Sequence, residues 1–265
     1  MKNERPNVLV IAGYDQSGGA GVLADVKTLE AHGVYAYAVC TGLTFQNERT
    51  ISRIQWLSRE DIFEQIDLCF RSVPFEWVKI GITRSAAMLG AITRHLRQHH
   101  AGIKIVLDPV VRASSGATFW EGTDRDAFRE MAGEVYLLTP NWEEIGWLYP
   151  EEDPMACCER LSADCHIYLK GGHHPVYPGR DWLWSRGRVT ELLPAADPAT
   201  IFPKHGSGCV LASSLAANLA LGHELPQAAA HAKRYTEQFL NSNKTLLGWH
   251  RSWQAGAPAM PLRKA

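Results

Sequence analysis

The chain has 265 residues, a formal net charge of −1, and 46% hydrophobic against 21% charged residues. That balance fits an ordinary globular protein with one large core, and it gives no electrostatic case for nucleic acid or an anionic membrane as partner. Six cysteines, at 40, 69, 157, 158, 165 and 209, form no C-x-x-C pair and have neither zinc nor disulfide-framework spacing, so reduced thiols in a cytoplasmic protein are expected.

Residues 8–12 are a continuous apolar run, the pattern of a strand buried on both faces. Five apolar residues are too few for a signal-peptide core or a membrane span. A glycine-rich loop over 13–21 leads to a helix running to about His32, with Gly33 as its stop. A second strand is expected over 35–40, and 41–50 is polar. Ser58 caps a helix carrying Ile62, Ile66 and Phe70, with Asp61 completing a weak capping box. A strand over 77–80 follows, then a helix capped by Ser85. A buried strand over 103–107 ends at Asp108-Pro109, and a loop over 110–122 leads to a helix near 124–131.

A strand over 135–138 ends at Thr139-Pro140-Asn141, and a short helix covers 143–148. Asp153-Pro154 opens another helix, as a cap with proline at the first helical position. A strand over 166–169 ends at Lys170-Gly-Gly. Residues 181–185 and 188–193 read as a hairpin about Arg186-Gly187. Helices over 211–221 and 226–241 close the chain, and the tail beyond Gly248 is expected to be loosely held. Strands alternating with amphipathic helices predict one α/β domain over 1–265, with its core at about 7–243. The architecture is a three-layer α/β/α sandwich on a mostly parallel sheet, with a small β-hairpin insertion. Ligands bind such sheets at the carboxyl ends of the strands. Asp15, Gln46, Asp108, Asn141, Glu144 and Lys170 fall at those ends.

Residues 204–212, Lys-His-Gly-Ser-Gly-Cys-Val-Leu-Ala, join a glycine turn to an apolar helix. Free N–H groups of Gly206, Ser207 and Gly208 and the positive end of the helix dipole make such a turn an anion site. Cys209 in the first helical turn would be favoured as thiolate. Taken alone, the segment reads more readily as an ordinary turn followed by a small buried cysteine.

Gly19-Ala-Gly21-Val-Leu-Ala24 fits G-x-G-x-x-A, but residues 13–18 separate it from the strand, and no acid lies between Glu30 and Glu48, where one would hold a ribose. Both facts count against a dinucleotide enzyme, which stays a third alternative, and no P-loop motif exists. Asn141 and Glu144 stand three apart on one helix face, where a carboxylate can hold Mg²⁺ through water; Asp108 could add a second charge or simply cap the turn before Pro109. Lys170 offers one cation to a phosphate. His173 and His174 lack ligand partners at suitable spacing and read as surface loop.

In combination these segments resemble the ribokinase-like superfamily, and within it the hydroxymethylpyrimidine/phosphomethylpyrimidine kinases of thiamin biosynthesis. The resemblance rests on IAGYDQSGGAGVLADVKTLEAHGVYA (11–36), TGLTFQN (41–47), KIGI (79–82), VLDPV (106–110), LLTPNWEE (137–144), LKGGH (169–173) and HGSGC (205–209). It implies ATP and Mg²⁺, a small pyrimidine substrate and a homodimer. It also implies an anion hole at Gly206, Ser207 and Gly208, with Cys209 as the base taking the substrate hydroxyl proton at a lowered pKa. Substrate contacts carry over onto Gly13, Asp25, Gln46, Ile82 and Val110. Asn141 and Lys170 fall on the nucleotide side, and Asp108 and Glu144 at the metal.

Three departures from the family pattern stand out. Tyr14 replaces a threonine and would narrow the substrate end. Val210 loses a hydroxyl, and Lys204 adds a cation near the phosphates. A pyridoxal kinase on the same fold is the nearest alternative, and a non-catalytic pyrimidine sensor is an alternative of another class.

Overall fold

The computed structural model describes residues 5–112, 118–120, 124–172, 174, 176–195, 201–253 and 262–264. The expectation for His173, and part of the 110–122 loop, lie outside them. The strands are β1 (Asn7–Asp15), β2 (Tyr35–Gln46), β3 (Ile51–Trp56), β4 (Trp77–Ile80), β5 (Lys104–Leu107), β6 (Leu137–Leu138), β7 (His166–Leu169), β8 (Asp181–Ser185), β9 (Arg188–Leu192) and β10 (Leu262–Lys264). The helices are α1 (Gly21–Ala31), α2 (Arg59–Ser72), α3 (Ala86–His99), α4 (Asp124–Met131), α5 (Trp142–Leu148), α6 (Pro154–Leu161), α7 (Ser207–Ala220) and α8 (Leu225–Leu240).

One sheet carries all the described strands in the order β10-β9-β8-β7-β6-β5-β4-β1-β2-β3. The run from β7 through β4 and β1 to β2 is parallel. Antiparallel strands close both ends, β3 on one side and β8, β9 and β10 on the other. The period-two alternation of the buried strands divides the core between two faces. In β1, Leu9 and Ile11 join the cluster under α2, α3, α5 and α6, while Val8, Val10 and Ala12 join the cluster under α1, α7 and α8. This is the three-layer α/β sandwich expected from the sequence. The chain leaves β1 toward β2 on one side and later returns to β4 on the other, so the carboxyl end of β1 is a topological switch point.

Several expectations change in detail. Strand β2 runs to Gln46 and pairs with β3, where the sequence showed only a polar stretch. No residue of β3 is buried and half are exposed, so the strand carries no buried alternation to reveal it. The hairpin about Arg186-Gly187 forms as expected, but it extends the main sheet instead of standing apart as an insertion. The tail is better held than expected. Trp253 donates its backbone N–H to Ala31 at 2.7 Å and packs on His32 and Tyr235, and 262–264 pair with β9. The caps at Ser58, Ser85 and Asp153 are all made. All six cysteines are unpaired thiols, and burial pushes Cys157 up to about 11.

Candidate active site

A cleft of about 1070 Å³ opens at the carboxyl ends of the parallel strands. Its floor is the turn that begins α7. Gly206 is the N-cap, with φ +76°, and the first helical hydrogen bond runs from the Val210 N–H to the Gly206 carbonyl at 3.0 Å. The N–H groups of Ser207, Gly208 and Cys209 therefore precede the ladder and are free of intrahelical acceptors. A side chain at 206 would collide with the Gly19 carbonyl and Ala20, so only glycine allows this turn to lie against the first glycine-rich loop.

Asp15 ties those two loops together. Its carboxylate accepts the N–H groups of Ser17 and Ala20, each at 2.9 Å, and the Ser17 hydroxyl at 2.9 Å. His205 Nε2 lies 2.9 Å from the same carboxylate. Burial raises the Asp15 carboxyl, but the hydrogen bonds from His205 and Ser17 outweigh it and hold the group below its ordinary value.

Above the turn, Lys170 reaches Asp108 Oδ1 at 2.7 Å and Glu144 Oε2 at 3.5 Å. Thr139 Oγ1 lies 3.4 Å from the same Asp108 oxygen. A methyl group on residue 208 would sit 3.3 Å from Lys170 Nζ and 3.8 Å from Asp108 Oδ2, which measures how closely the turn approaches this ion cluster. Asn141 and Glu144 form a reciprocal capping box at the start of α5, each bond 2.7 Å. Burial raises the Glu144 carboxyl, and Lys170 opposes the shift. The two carboxylates keep Lys170 firmly charged against the burial that would lower it.

The cleft brings together Gly13, Gln46, Ile82, Asp108, Val110, Asn141, Glu144, Lys170, Gly206, Ser207, Gly208 and Cys209. Asp25, expected to contact substrate, is not among its walls. It is fully buried and holds Lys79 through two contacts of 2.9 and 2.8 Å, with the Ser213 hydroxyl donating at 2.7 Å. Lys79 does line the cleft, so Asp25 stands one layer beneath its wall, paired to the lysine.

Cys209 departs from expectation in charge. Burial pushes its thiol up to about 11; Lys79 and a bond from the Gly21 N–H pull down, while Asp25 and Asp108 push further up. The helix terminus does not overcome that desolvation, and the resting group is a thiol.

Of the three departures, Tyr14 is exposed and does not line the cleft, so it leaves the substrate end unnarrowed. Val210 is fully buried against Tyr235 and Phe239, where a methyl is worth more than a hydroxyl. Lys204 is tethered through Nζ to the Asn243 carbonyl at 2.7 Å. Sequence reasoning missed Lys79, His205 and a second ion cluster. In that cluster Asp181 accepts from Lys233 at 2.9 Å, from the Tyr168 hydroxyl at 2.7 Å and from the Gly171 N–H at 2.7 Å. A lysine inside the buried strand Trp77–Ile80 was the available signal for the first, since unpaired lysines are almost never fully buried.

The profile of the phosphomethylpyrimidine kinase family matches residues 15–253. A thiamine biosynthesis bifunctional protein of Geobacter sulfurreducens is 34% identical over 240 residues, 87% of this chain and 48% of that protein. The chain thus spans about half the length of that relative. A hydroxymethylpyrimidine/phosphomethylpyrimidine kinase of Salmonella typhimurium is 33% identical over 224 residues, 81% of this chain and 83% of the relative. The solved structure of a pyridoxal kinase from Staphylococcus aureus, bound to AMP-PCP and pyridoxal, superposes with a TM-score of 0.83 at 20% identity, covering 99% of this chain and 100% of that one. This last likeness is one of fold.

Proposed function

Because the chain belongs to the phosphomethylpyrimidine kinase family, we propose that it transfers the terminal phosphoryl group of ATP to 4-amino-5-hydroxymethyl-2-methylpyrimidine and then to its monophosphate. The observation that carries this reading is the approach of the 206–208 turn to Lys170 and Asp108. A row of N–H groups with no intrahelical acceptor and a fixed ammonium face the same space, as a transferring phosphoryl group requires.

In this reading the Ser207, Gly208 and Cys209 N–H groups hold the phosphoryl oxygens, and Lys170 bridges them to the nucleotide side. Asp108 Oδ2 and Glu144 Oε1 have no hydrogen bond among the described residues, and both are hard oxygen donors in the cleft wall. They fit Mg²⁺ held through its water shell, and the ion would supply positive charge to the phosphate oxygens. Gln46, at the end of β2, offers both a donor and an acceptor to the edge of a flat heterocycle, with Ile82 and Val110 as apolar walls.

In this reading Cys209, which lines the cleft at the start of α7, takes the proton that the substrate hydroxyl loses. Phosphoryl transfer needs little base help until the new P–O bond is well formed and the attacking hydroxyl turns acidic. A thiol with a raised pKa can accept a proton at that late point only through its minor thiolate form. In the second step the acceptor is already an anionic phosphate, and that demand disappears.

The test is ATP consumption by the purified full chain with Mg²⁺, offering in turn the hydroxymethylpyrimidine, its monophosphate and pyridoxal. Turnover of both pyrimidines is expected. Turnover of pyridoxal alone would move the same site to vitamin B6 chemistry, and tight binding without turnover of any of the three would make the protein a sensor. Among the described residues no helix is long and apolar enough to cross a membrane.

A further inference from the structure

Three side chains outside the cleft converge on one point. His95 and His99 stand four apart on one face of α3, and each ring Nε2 lies against the same oxygen of Asp67 on α2, at 2.7 and 2.8 Å. One ligand atom from each of the three side chains lies within 4.8 Å of the other two. We propose that Asp67, His95 and His99 bind a divalent transition cation of the zinc type, which ties α2 to α3.

The rings are held for such a role. Phe63 stacks on His95 with centroids 4.0 Å apart and planes 2° from parallel, and Phe70 stacks on His99 at 4.5 Å and 9°. Phe63, Asp67 and Phe70 follow i, i+4, i+7 spacing, so one face of α2 supplies both clamps and the carboxylate. The two imidazoles meet nearly edge to face, 86° apart, which aims their Nε2 atoms inward from different directions. Preorganised rings are the part of a metal site that is costly to supply afterwards.

The donor set selects the ion. Two imidazole nitrogens and one carboxylate oxygen suit zinc and its neighbours, with distances of about 2.0–2.2 Å, and suit Mg²⁺ or Ca²⁺ poorly. Separations of 2.7 and 2.8 Å are short for two ligands on one tetrahedral ion, so Asp67 must swing outward slightly. Its half-exposed side chain is free to do so. On binding, each ring carries its proton on Nδ1 and gives the Nε2 lone pair to the cation, and Asp67 turns from hydrogen-bond acceptor to ligand. Water completes the fourth position. An open recess of about 370 Å³ reaches His99 beside Phe70 and His100, giving an entry path.

The site is remote from the cleft and independent of its chemistry. α3 leaves the carboxyl end of β4 and runs back toward the start of β5, so its last turn lies at the amino ends of the strands, opposite the 206–208 turn. None of the trio lines the cleft.

The experiment titrates Zn²⁺ into the full chain, without nucleotide, by calorimetry. Wild type is compared with H95Q/H99Q and with D67N. Wild type is expected to take up one equivalent more than H95Q/H99Q, which sets aside any Zn²⁺ held by the cleft carboxylates or by thiols. D67N should weaken that equivalent by more than about tenfold while leaving kinase turnover unchanged. Co²⁺ in the same site should give the visible absorption of a four-coordinate nitrogen/oxygen site, without thiolate charge transfer. Equal stoichiometry and affinity in wild type and H95Q/H99Q would overturn the proposal. Should that double variant fail to fold, unchanged Zn²⁺ affinity in D67N would overturn it on its own.

Discussion

Lys79 and Asp25 form a two-pronged ion pair with both side chains fully buried, and Lys79 is the member that lines the cleft and interacts electrostatically with Cys209. A charge so deep is tolerated only while its partner stands. D25N keeps the shape and removes the countercharge, which should cost about 3–5 kcal/mol in a urea unfolding series. D25L/K79M removes both charges and should regain most of that loss. It should still turn over slowly, because the lysine charge next to Cys209 is gone and only Lys170 remains beside the 206–208 turn. A D25N protein within about 1 kcal/mol of wild type would show that Lys79 sheds its proton without cost.

The same turn offers a substitution that separates stability from activity. Gly208 is helical, and alanine there should be neutral or stabilising by up to about 1 kcal/mol. Its methyl group would crowd Lys170 Nζ at 3.3 Å, and the long side chain must shift. G208A is therefore expected to melt at or above the wild-type temperature while kcat falls by about 10²-fold, the usual cost of disturbing one charge-stabilising contact. Wild-type kcat in a folded G208A would remove Lys170 from the proposed transfer step.

The parallel sheet was legible because its strands are continuous apolar runs punctuated by Gly, Pro and capping residues. The segment from β4 through β7 falls within one or two residues of expectation at most ends. Exposed β3 was not legible, since a strand at the sheet edge needs no buried alternation. In the candidate site, glycine turns and strand-end polar residues announced themselves by local pattern. Pairings between distant segments did not. Asp25 with Lys79, Asp15 with His205 and Asp181 with Lys233 are separated by 54, 190 and 52 residues, and no local spacing encodes them. The thiol of Cys209 was misjudged for a related reason: the helix dipole is visible in sequence, whereas the depth of burial that opposes it is a property of the packed chain.

His32 makes acid stability a readable quantity. Its ring sits under α7 with Nδ1 2.8 Å from the Thr28 carbonyl and Nε2 2.9 Å from the Ser214 hydroxyl, an arrangement satisfied by the neutral ring. Tyr235 and Trp253 cover it. Burial depresses it from 6.5 to about 4; the Thr28 bond opposes that shift and nearby His231 adds to it. Between those values the unfolded chain binds a proton that the folded chain refuses, so stability is intact above about 6.5 and falls as pH drops toward 4. The gap corresponds to about 3 kcal/mol. Urea midpoints measured at neutral pH and near pH 4.5 should differ less in H32Q than in wild type, whatever the absolute stability of H32Q. Equal differences would assign the acid sensitivity to other groups.

Cys209 carries the sharpest kinetic prediction, because its raised pKa and its proposed role pull against each other. A thiol pushed up to about 11 is almost wholly protonated at neutral pH. If proton removal from the hydroxymethyl group passes through its thiolate, the first phosphorylation should quicken with rising pH across the neutral and mildly alkaline range. The rate would follow the growing thiolate fraction and level off only near that value. The second phosphorylation, with an anionic acceptor, should lack that slope. C209A should lower the first rate by about 10²–10⁴-fold and the second far less, and the pH slope of its residual first step should disappear. C209S keeps a small polar group of higher pKa and should resemble C209A. Equal losses in both steps, or a slope that survives in C209A, would assign Cys209 to shaping the turn and leave proton removal to the phosphoryl group itself.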